Sequence, residues 1–162
     1  MTEQKYKNKF SVLLPDGTIR KVERKDAVMS LYAPGTIIFD SEMELKFYTE
    51  ILLPRIKKGL ITVELQPKYI LQESFEKFGK KHQAITYSPD FKVTKRDGEI
   101  ICYDVKGFAD QKFPIKRKLF DARYPDIRLV VMKRIVKFGG WLTDEQYMKA
   151  KREEKRGKSG LV

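Results

Sequence analysis

The run Ile127-Arg128-Leu129-Val130-Val131-Met132 is apolar almost without interruption, and a strand of that kind cannot leave either face in water. It must be covered on both sides. Upstream, Ile100-Ile101-Cys102-Tyr103-Asp104-Val105-Lys106-Gly107 reads as a second strand, and Pro114-Ile115-Lys116-Arg117-Lys118-Leu119-Phe120-Asp121 as a helix with proline near its start. Strand, helix and strand in that order make a crossover, so the two strands are predicted to be parallel neighbours. Ser88-Pro89-Asp90-Phe91-Lys92-Val93 lies before the Ile100 strand across the short turn Lys95-Arg96-Asp97-Gly98, which predicts an antiparallel hairpin.

The remaining elements follow from local chemistry. Ser41-Glu42-Met43-Glu44 is a capping-box pattern that starts a helix, and Phe47, Tyr48, Ile51 and Leu52 form its apolar stripe. Pro54 is expected to kink or end that helix, and Lys57-Lys58-Gly59 to close it. Leu60 to Leu71 is strand-like, with Pro67 marking an edge or a bulge, and Glu73 to Gln83 reads as a polar loop. Near the N-terminus, Phe10 to Leu14 and Thr18 to Val22 flank Pro15-Asp16-Gly17 as an accessory hairpin. Ala33-Pro34-Gly35 then breaks the chain before Thr36-Ile37-Ile38-Phe39. From Trp141 onward a terminal helix is expected, fraying toward Gly160.

A chain of 162 residues fits one domain: an accessory hairpin over 1–35, a core over 36–132, and a C-terminal helix with a basic tail over 133–162. Lys and Arg number 34 against 22 Asp and Glu, a net charge of +12, and the first partner this suggests is a polyanion, nucleic acid above all. Lys5, Lys7, Lys9, Arg20, Lys21, Arg24 and Lys25 could meet phosphates or simply be solvated. The single cysteine, Cys102, excludes an internal disulfide and a cysteine-rich zinc site; in an apolar strand it should pack. No apolar run is long enough for a membrane span and the N-terminus is too polar for a secretion signal, so a cytoplasmic setting is expected. No glycine-rich phosphate loop or histidine-cysteine metal spacing is present.

Chemistry concentrates in the predicted hairpin. Side chains two apart in a strand share a face, so Ile100, Cys102, Asp104 and Lys106 point one way, and that face ends in a carboxylate beside an amine. Asp90, at the end of the paired strand, can approach Asp104. Two carboxylates that close repel unless a cation or proton lies between them, and magnesium favours such oxygens. Glu44 lies on the core-facing side of its helix, three residues before Phe47 and four before Tyr48.

Glu44, Asp90 in Ser-Pro-Asp, and Asp104-Val105-Lys106, spaced 104 − 90 = 14 and set in an αβββαβ order over roughly 36 to 132, resemble the PD-(D/E)XK nuclease superfamily. Asp40-Ser41-x-x-Glu44, Glu64-Leu65-Gln66-Pro67 and Lys116-Arg117-Lys118-Leu119 resemble phage and prophage members described as Holliday-junction-resolvase-like. The resemblance implies an α/β, restriction-endonuclease-like core: a mixed four-stranded sheet flanked by helices, with the N-terminal hairpin and C-terminal helix added. It implies Mg2+, with Mn2+ able to substitute, held by Asp90, Asp104 and the Val105 carbonyl, and by Glu44 directly or through water. Lys106 would orient or deprotonate the attacking water. Lys116, in preference to Lys118, would reach the scissile phosphate, and Gln66 would support Glu44 or a metal-bound water. The implied activity is metal-dependent endonucleolytic cutting of branched DNA, a four-way junction being cut by a phage-encoded homodimer with no membrane partner.

Plainer readings exist for each residue. Glu44 could merely close its capping box, Asp90 begin a turn, and Asp104 pair with Lys106. The same-superfamily alternatives are an exonuclease or a sequence-directed cutter, and the alternative outside enzymes is a basic DNA-binding protein that does not cut. His82, the only histidine, reads as a surface residue, and Trp141, Phe138 and Tyr147 as anchors of the C-terminal helix. The apolar residues of the N-terminal hairpin and that helix are the candidates for a dimer surface.

Overall fold

In the computed structural model, residues 10–23, 33–106 and 111–159 are described, and the chain divides into two units, Met1–Pro54 and Arg55–Val162. In the first unit, β1 (Phe10–Leu13) and β2 (Ile19–Val22) form the expected hairpin, and β3 (Ile37–Phe39) pairs antiparallel with the other side of β1. Helix α1 (Glu42–Phe47) begins at Ser41, whose hydroxyl accepts the Glu44 N–H at 3.1 Å. Caps of this kind contribute about 1 kcal/mol. Val12, Leu13, Phe39, Leu45, Phe47, Tyr48 and Leu52 are buried, the Phe39 and Tyr48 rings 5.3 Å apart.

Pro54 does not end this helix, but the helix is irregular just ahead of it. A π-helical turn, Tyr48–Leu52, intervenes, in which the Leu53 N–H reaches back to the Tyr48 carbonyl, and α2 (Leu53–Lys57) carries the chain onward. Shifting to the wider turn just before proline absorbs its missing donor and its ring. The segment closes at Gly59, in the left-handed region at φ 63°, where the Arg96 Nε donates to the Gly59 carbonyl at 2.7 Å.

Glu42, exposed on α1, bonds to Lys21 at 2.7 Å and Lys46 at 2.9 Å. The Lys21 hydrogen bond first, then that of Lys46, holds its carboxyl at about 2, against an ordinary 4.5. A depressed acid contributes stability above its unfolded value and loses it as pH falls toward the folded one. Glu42→Gln should therefore differ from the parent above about pH 4.5, and the difference should vanish by about pH 2. Because the pair is exposed, its contribution is at most about 1 kcal/mol. Urea unfolding across that pH range checks it.

The second unit is built on a mixed sheet. Its strands are β4 (Ile61–Leu65), β9 (Phe91–Lys95), β10 (Ile100–Val105), β11 (Arg128–Ile135) and β12 (Gly140–Thr143), in the order β12-β11-β10-β9-β4. As predicted, β9 and β10 are antiparallel, and β10 and β11 parallel, with Cys102 opposite Leu129 and Asp104 opposite Val131. Helix α3 (Phe113–Arg123) makes the crossover. Its Phe120 is wholly buried with Leu71, Tyr87, Cys102 and Leu129; truncating such an aromatic to alanine costs about 3–5 kcal/mol. Cys102 is 0% exposed, and burial pushes its thiol up.

Three expectations fail here. Leu60 to Leu71 is not one strand, because Gln66 adopts φ 46° and turns the chain out of β4. Glu73 to Gln83 is not a loop: β5 (Tyr69–Gln72) pairs with β8 (Ile85–Tyr87), and beyond them β6 (Phe75–Lys77) pairs with β7 (Lys80–His82). Trp141 does not open a helix. Gly139 and Gly140, at φ 93° and 108°, reverse the chain so that Gly140–Thr143 lies antiparallel on β11, giving the sheet five strands among the described residues rather than four.

Helix α4 (Asp144–Ser159) follows. The Gln146 N–H donates to the Thr143 hydroxyl and the Thr143 N–H to Gln146 Oε1, a second capping box. Phe138 and Tyr147 meet edge to face at 6.2 Å. Lys5, Lys7, Lys9, Arg24, Lys25, Gly107 and Gly160 lie outside the described residues. Among the described residues no helix is long and apolar enough to cross a membrane.

Candidate active site

Register brings the hairpin acids together. Phe91 stands opposite Tyr103 and Lys92 opposite Cys102, so extending the ladder one residue sets Asp90 across from Asp104. Asp90 Oδ2 accepts the Val105 N–H at 2.6 Å, and the Gln66 N–H donates to the Asp90 carbonyl at 2.9 Å. The first of these bonds fixes the Asp90 carboxylate against the backbone between Asp104 and Lys106. Buried Pro89 packs just before it.

Asp104 is 3% exposed, on the sheet face it shares with Cys102. A carboxylate there needs partners, since an isolated buried charge is costly. It has two: Oδ1 pairs with Lys106 Nζ at 2.9 Å, and Oδ2 accepts a short hydrogen bond from the Tyr87 hydroxyl. Lys106 Nζ also lies 4.8 Å from the centre of the Phe113 ring, a cation–π contact. The Tyr87 phenol is pushed far above its ordinary value, by burial first, then by the charge and hydrogen bond of Asp104, then by the charge of Asp90. It stays protonated and donates to Asp104.

Lys116 and Lys118 diverge by about 200° on a helix. Lys116, half-buried, falls between Phe113 and Phe120 on the stripe of α3 that meets the core, while Lys118 is exposed. Gln66 is exposed too, and its backbone adjoins Asp90. Glu64 pairs with Lys92 at 3.0 Å.

Glu44 belongs to the other unit. It is 8% exposed; its Oε1 accepts from the Ser41 hydroxyl at 2.9 Å and its Oε2 from the Asp40 N–H at 3.3 Å. Glu44 thus closes the box through the Ser41 hydroxyl and the Asp40 N–H in place of the Ser41 N–H.

Tyr87 and Phe113 are the participants that sequence reasoning missed. Period-2 alternation through Ile85-Thr86-Tyr87, between the Glu73 to Gln83 segment and the Ser88 strand, is the signal that marks the tyrosine. Tyr87→Phe keeps the ring and removes the donor, so stability should fall by about 1–3 kcal/mol, measured by urea unfolding.

Residues 24–140 match the family described as "Protein of unknown function (DUF1064)". The chain belongs to that family. No curated protein and no solved structure matches it. The matched DUF1064 segment contains Glu44, Gln66, Asp90, Asp104, Val105, Lys106, Lys116 and Lys118.

Whether these residues suit a hard divalent cation turns on their donor chemistry. Asp90, Asp104 and the Val105 carbonyl are all oxygen donors, the kind Mg2+ prefers. Asp90 and Asp104 each accept at least one hydrogen bond, yet a carboxylate offers about four lone-pair positions, so acceptor capacity remains. Two carboxylates and one ammonium also sum to one negative charge. The set fits, with Lys106 neutralising Asp104. Among the described residues no group of three or more His, Cys, Asp or Glu side chains is gathered as a metal cluster.

Proposed function

We propose that this DUF1064 chain is a metal-dependent endodeoxyribonuclease of the PD-(D/E)XK kind, acting on branched DNA. The observation that carries the reading is the tie between Asp90 and the Val105 N–H, which locks one carboxylate beside the Asp104 and Lys106 pair. The run of elements supports it as well: a helix, three antiparallel strands, a crossover helix and a parallel strand, with the acids at the hairpin's end.

Asp90, Asp104 and the Val105 carbonyl would hold Mg2+ or Mn2+. When bound, the cation supplies charge neutralisation at the phosphate and a water that ionises near neutral pH. The chain's own residues do the positioning. Tyr87 holds one oxygen of Asp104, and Asp104 with the Phe113 ring holds the Lys106 ammonium where it can orient a water or offset phosphate charge. Lys116, on the same helix as Phe113, is the candidate for the scissile phosphate. Symmetric cutting of a four-way junction requires two copies, so a homodimer is part of the proposal.

One observation favours a rival, a basic DNA-binding protein that does not cut: both oxygens of Asp104 and both of Glu44 already have protein partners. Labelled four-way junction, duplex and single-stranded DNA incubated with Mg2+, Ca2+ or chelator separates the two. Paired nicks in the junction, with Mg2+ and not with chelator, are expected. Stepwise shortening would point to an exonuclease and a fixed site to a sequence-directed cutter. Binding with no cleavage under any metal would leave the rival standing.

A further inference from the structure

The excursion from Gln66 to Asp90 ends in an arrangement that folding alone does not explain. β6 and β7 pair with Lys77 opposite Lys80, so the turn consists of Phe78 and Gly79. Both lie in the left-handed region, at φ 49° and 73°, the geometry of a tight type I′ hairpin turn. Asn-Gly is the usual occupant, since a bulky aromatic at positive φ is strained. Phe78 nevertheless holds that position, 97% exposed, and it buries nothing that would offset the strain. Strain of this sort is retained where it presents a side chain.

The surroundings of the ring identify what it is presented to. Lys77, Lys80 and Lys81 are exposed around it, with Lys77 Nζ 5.7 Å from the ring centre. Glu76, across from Lys81, is the one acid in this hairpin. The stem is stiffened by Phe75 stacked on His82 at 4.5 Å and 11°. Its base is clamped to α3: Tyr69 and Tyr87 pack on Phe120, the Tyr124 hydroxyl donates to the Ile70 carbonyl at 2.9 Å, and Arg123 pairs with Glu73. A flat, exposed ring at the tip of a braced ribbon, with exposed lysines on both faces of that ribbon, matches a base with phosphates on either side. A lipid surface calls for a broad apolar face; here only Phe78 is almost wholly exposed, while Phe75 stacks on His82 and Ile70 and Ile85 are a little over a third exposed.

We infer that the β6–β7 ribbon is a wedge: Phe78 stacks on an unpaired or splayed base at a DNA branch, while Lys77, Lys80 and Lys81 hold the flanking phosphates. The choice of DNA rests on the function proposed above and specifies its substrate as DNA with an interrupted stack. Tyr87, which bonds Asp104, ends the return from this ribbon. The nine residue steps from Phe78 to Tyr87 span at most about 32 Å of extended chain. That is under one turn of duplex, about 34 Å, so cuts should fall within roughly a turn of the stacked base.

The test uses the full chain with Ca2+ or chelator, so that binding is read apart from cutting, on a four-way junction and on duplex of equal length. Phe78→Asn places a residue suited to positive φ in the turn and should fold at least as stably as the parent. It should also lose the preference for junction over duplex by about fivefold or more, while Phe78→Trp keeps it. The wedge is overturned if Phe78→Asn retains the preference, or if the parent has none. It is equally overturned if Phe78 instead governs binding to vesicles containing phosphatidylserine. Cleavage with Mg2+ is scored separately: lost cutting with a Phe78-dependent preference would remove the nuclease reading and spare the wedge, and the reverse pattern would do the opposite.

Discussion

Asp104→Asn should lower metal-dependent cutting by about a thousandfold or more with little change in the fold, whereas Lys106→Met should lower both activity and stability. Asparagine keeps the shape of the side chain and can still accept from Tyr87, and it frees Lys106, a quarter exposed, to turn toward water. What it removes is an anionic oxygen. A thousandfold corresponds to about 4 kcal/mol, within the several kcal/mol that a catalytic cation supplies. Lys106→Met does the reverse, leaving the buried Asp104 carboxylate with the Tyr87 hydroxyl and no ammonium. Stranding one member of a buried pair costs about 3–5 kcal/mol. Single-turnover cleavage and urea unfolding in chelator measure the two effects. Cys102, wholly buried, reports folding independently, since thiol reagents reach it only on unfolding. Wild-type cutting by Asp104→Asn would reduce Asp104 and Lys106 to a structural ion pair.

The contrast between what could and could not be read in the chain has a physical basis. Ser41 through Glu44, the parallel pairing of the Ile100 and Ile127 strands, and the approach of Asp90 to Asp104 all follow from short-range geometry: a cap three residues long, a crossover helix, a period of two. The ribbon was illegible by the same measures. β6 and β7 are three residues each and carry mainly polar side chains, so they bury no face whose alternation could announce them. Their stability comes from the Phe75 and His82 stack and from the clamp on α3, which are tertiary. β12 was obscured because Trp141 and Leu142 suit a helix as readily as a strand. Only Gly139-Gly140 before them and the Thr143 to Gln146 cap after them mark the boundary. The π-turn ahead of Pro54 is a further case: proline's local rule holds, but the backbone evades it one residue earlier. Glu44 shows the limit for the site, because one sequence pattern describes both a closed capping box and a metal ligand.

Salt provides the other large effect. The chain carries 34 − 22 = +12 formal charges, and several of its cations are paired locally with acids: Lys21 and Lys46 with Glu42, Arg117 with Glu145, Arg123 with Glu73, Lys133 with Asp144. Lys77, Lys80, Lys81 and Lys118 are exposed and make no such pair with a described residue, and Lys116 lies on the core-facing stripe of α3. If roughly six cations displace counterions from DNA, the logarithm of affinity should fall with the logarithm of salt at a slope near −5. Between 50 and 200 mM salt this is about a thousandfold. The ribbon makes a sharper claim. Replacing Lys77, Lys80 and Lys81 together by glutamine should flatten the slope by about 3 while leaving discrimination between junction and duplex mostly intact, because phosphates position and the Phe78 ring discriminates. Anisotropy titrations at four salt concentrations, for parent, triple variant and Phe78→Asn, resolve the two contributions. A slope near zero for the parent would remove DNA from consideration altogether, since a chain of this charge cannot grip a polyphosphate without displacing its counterions.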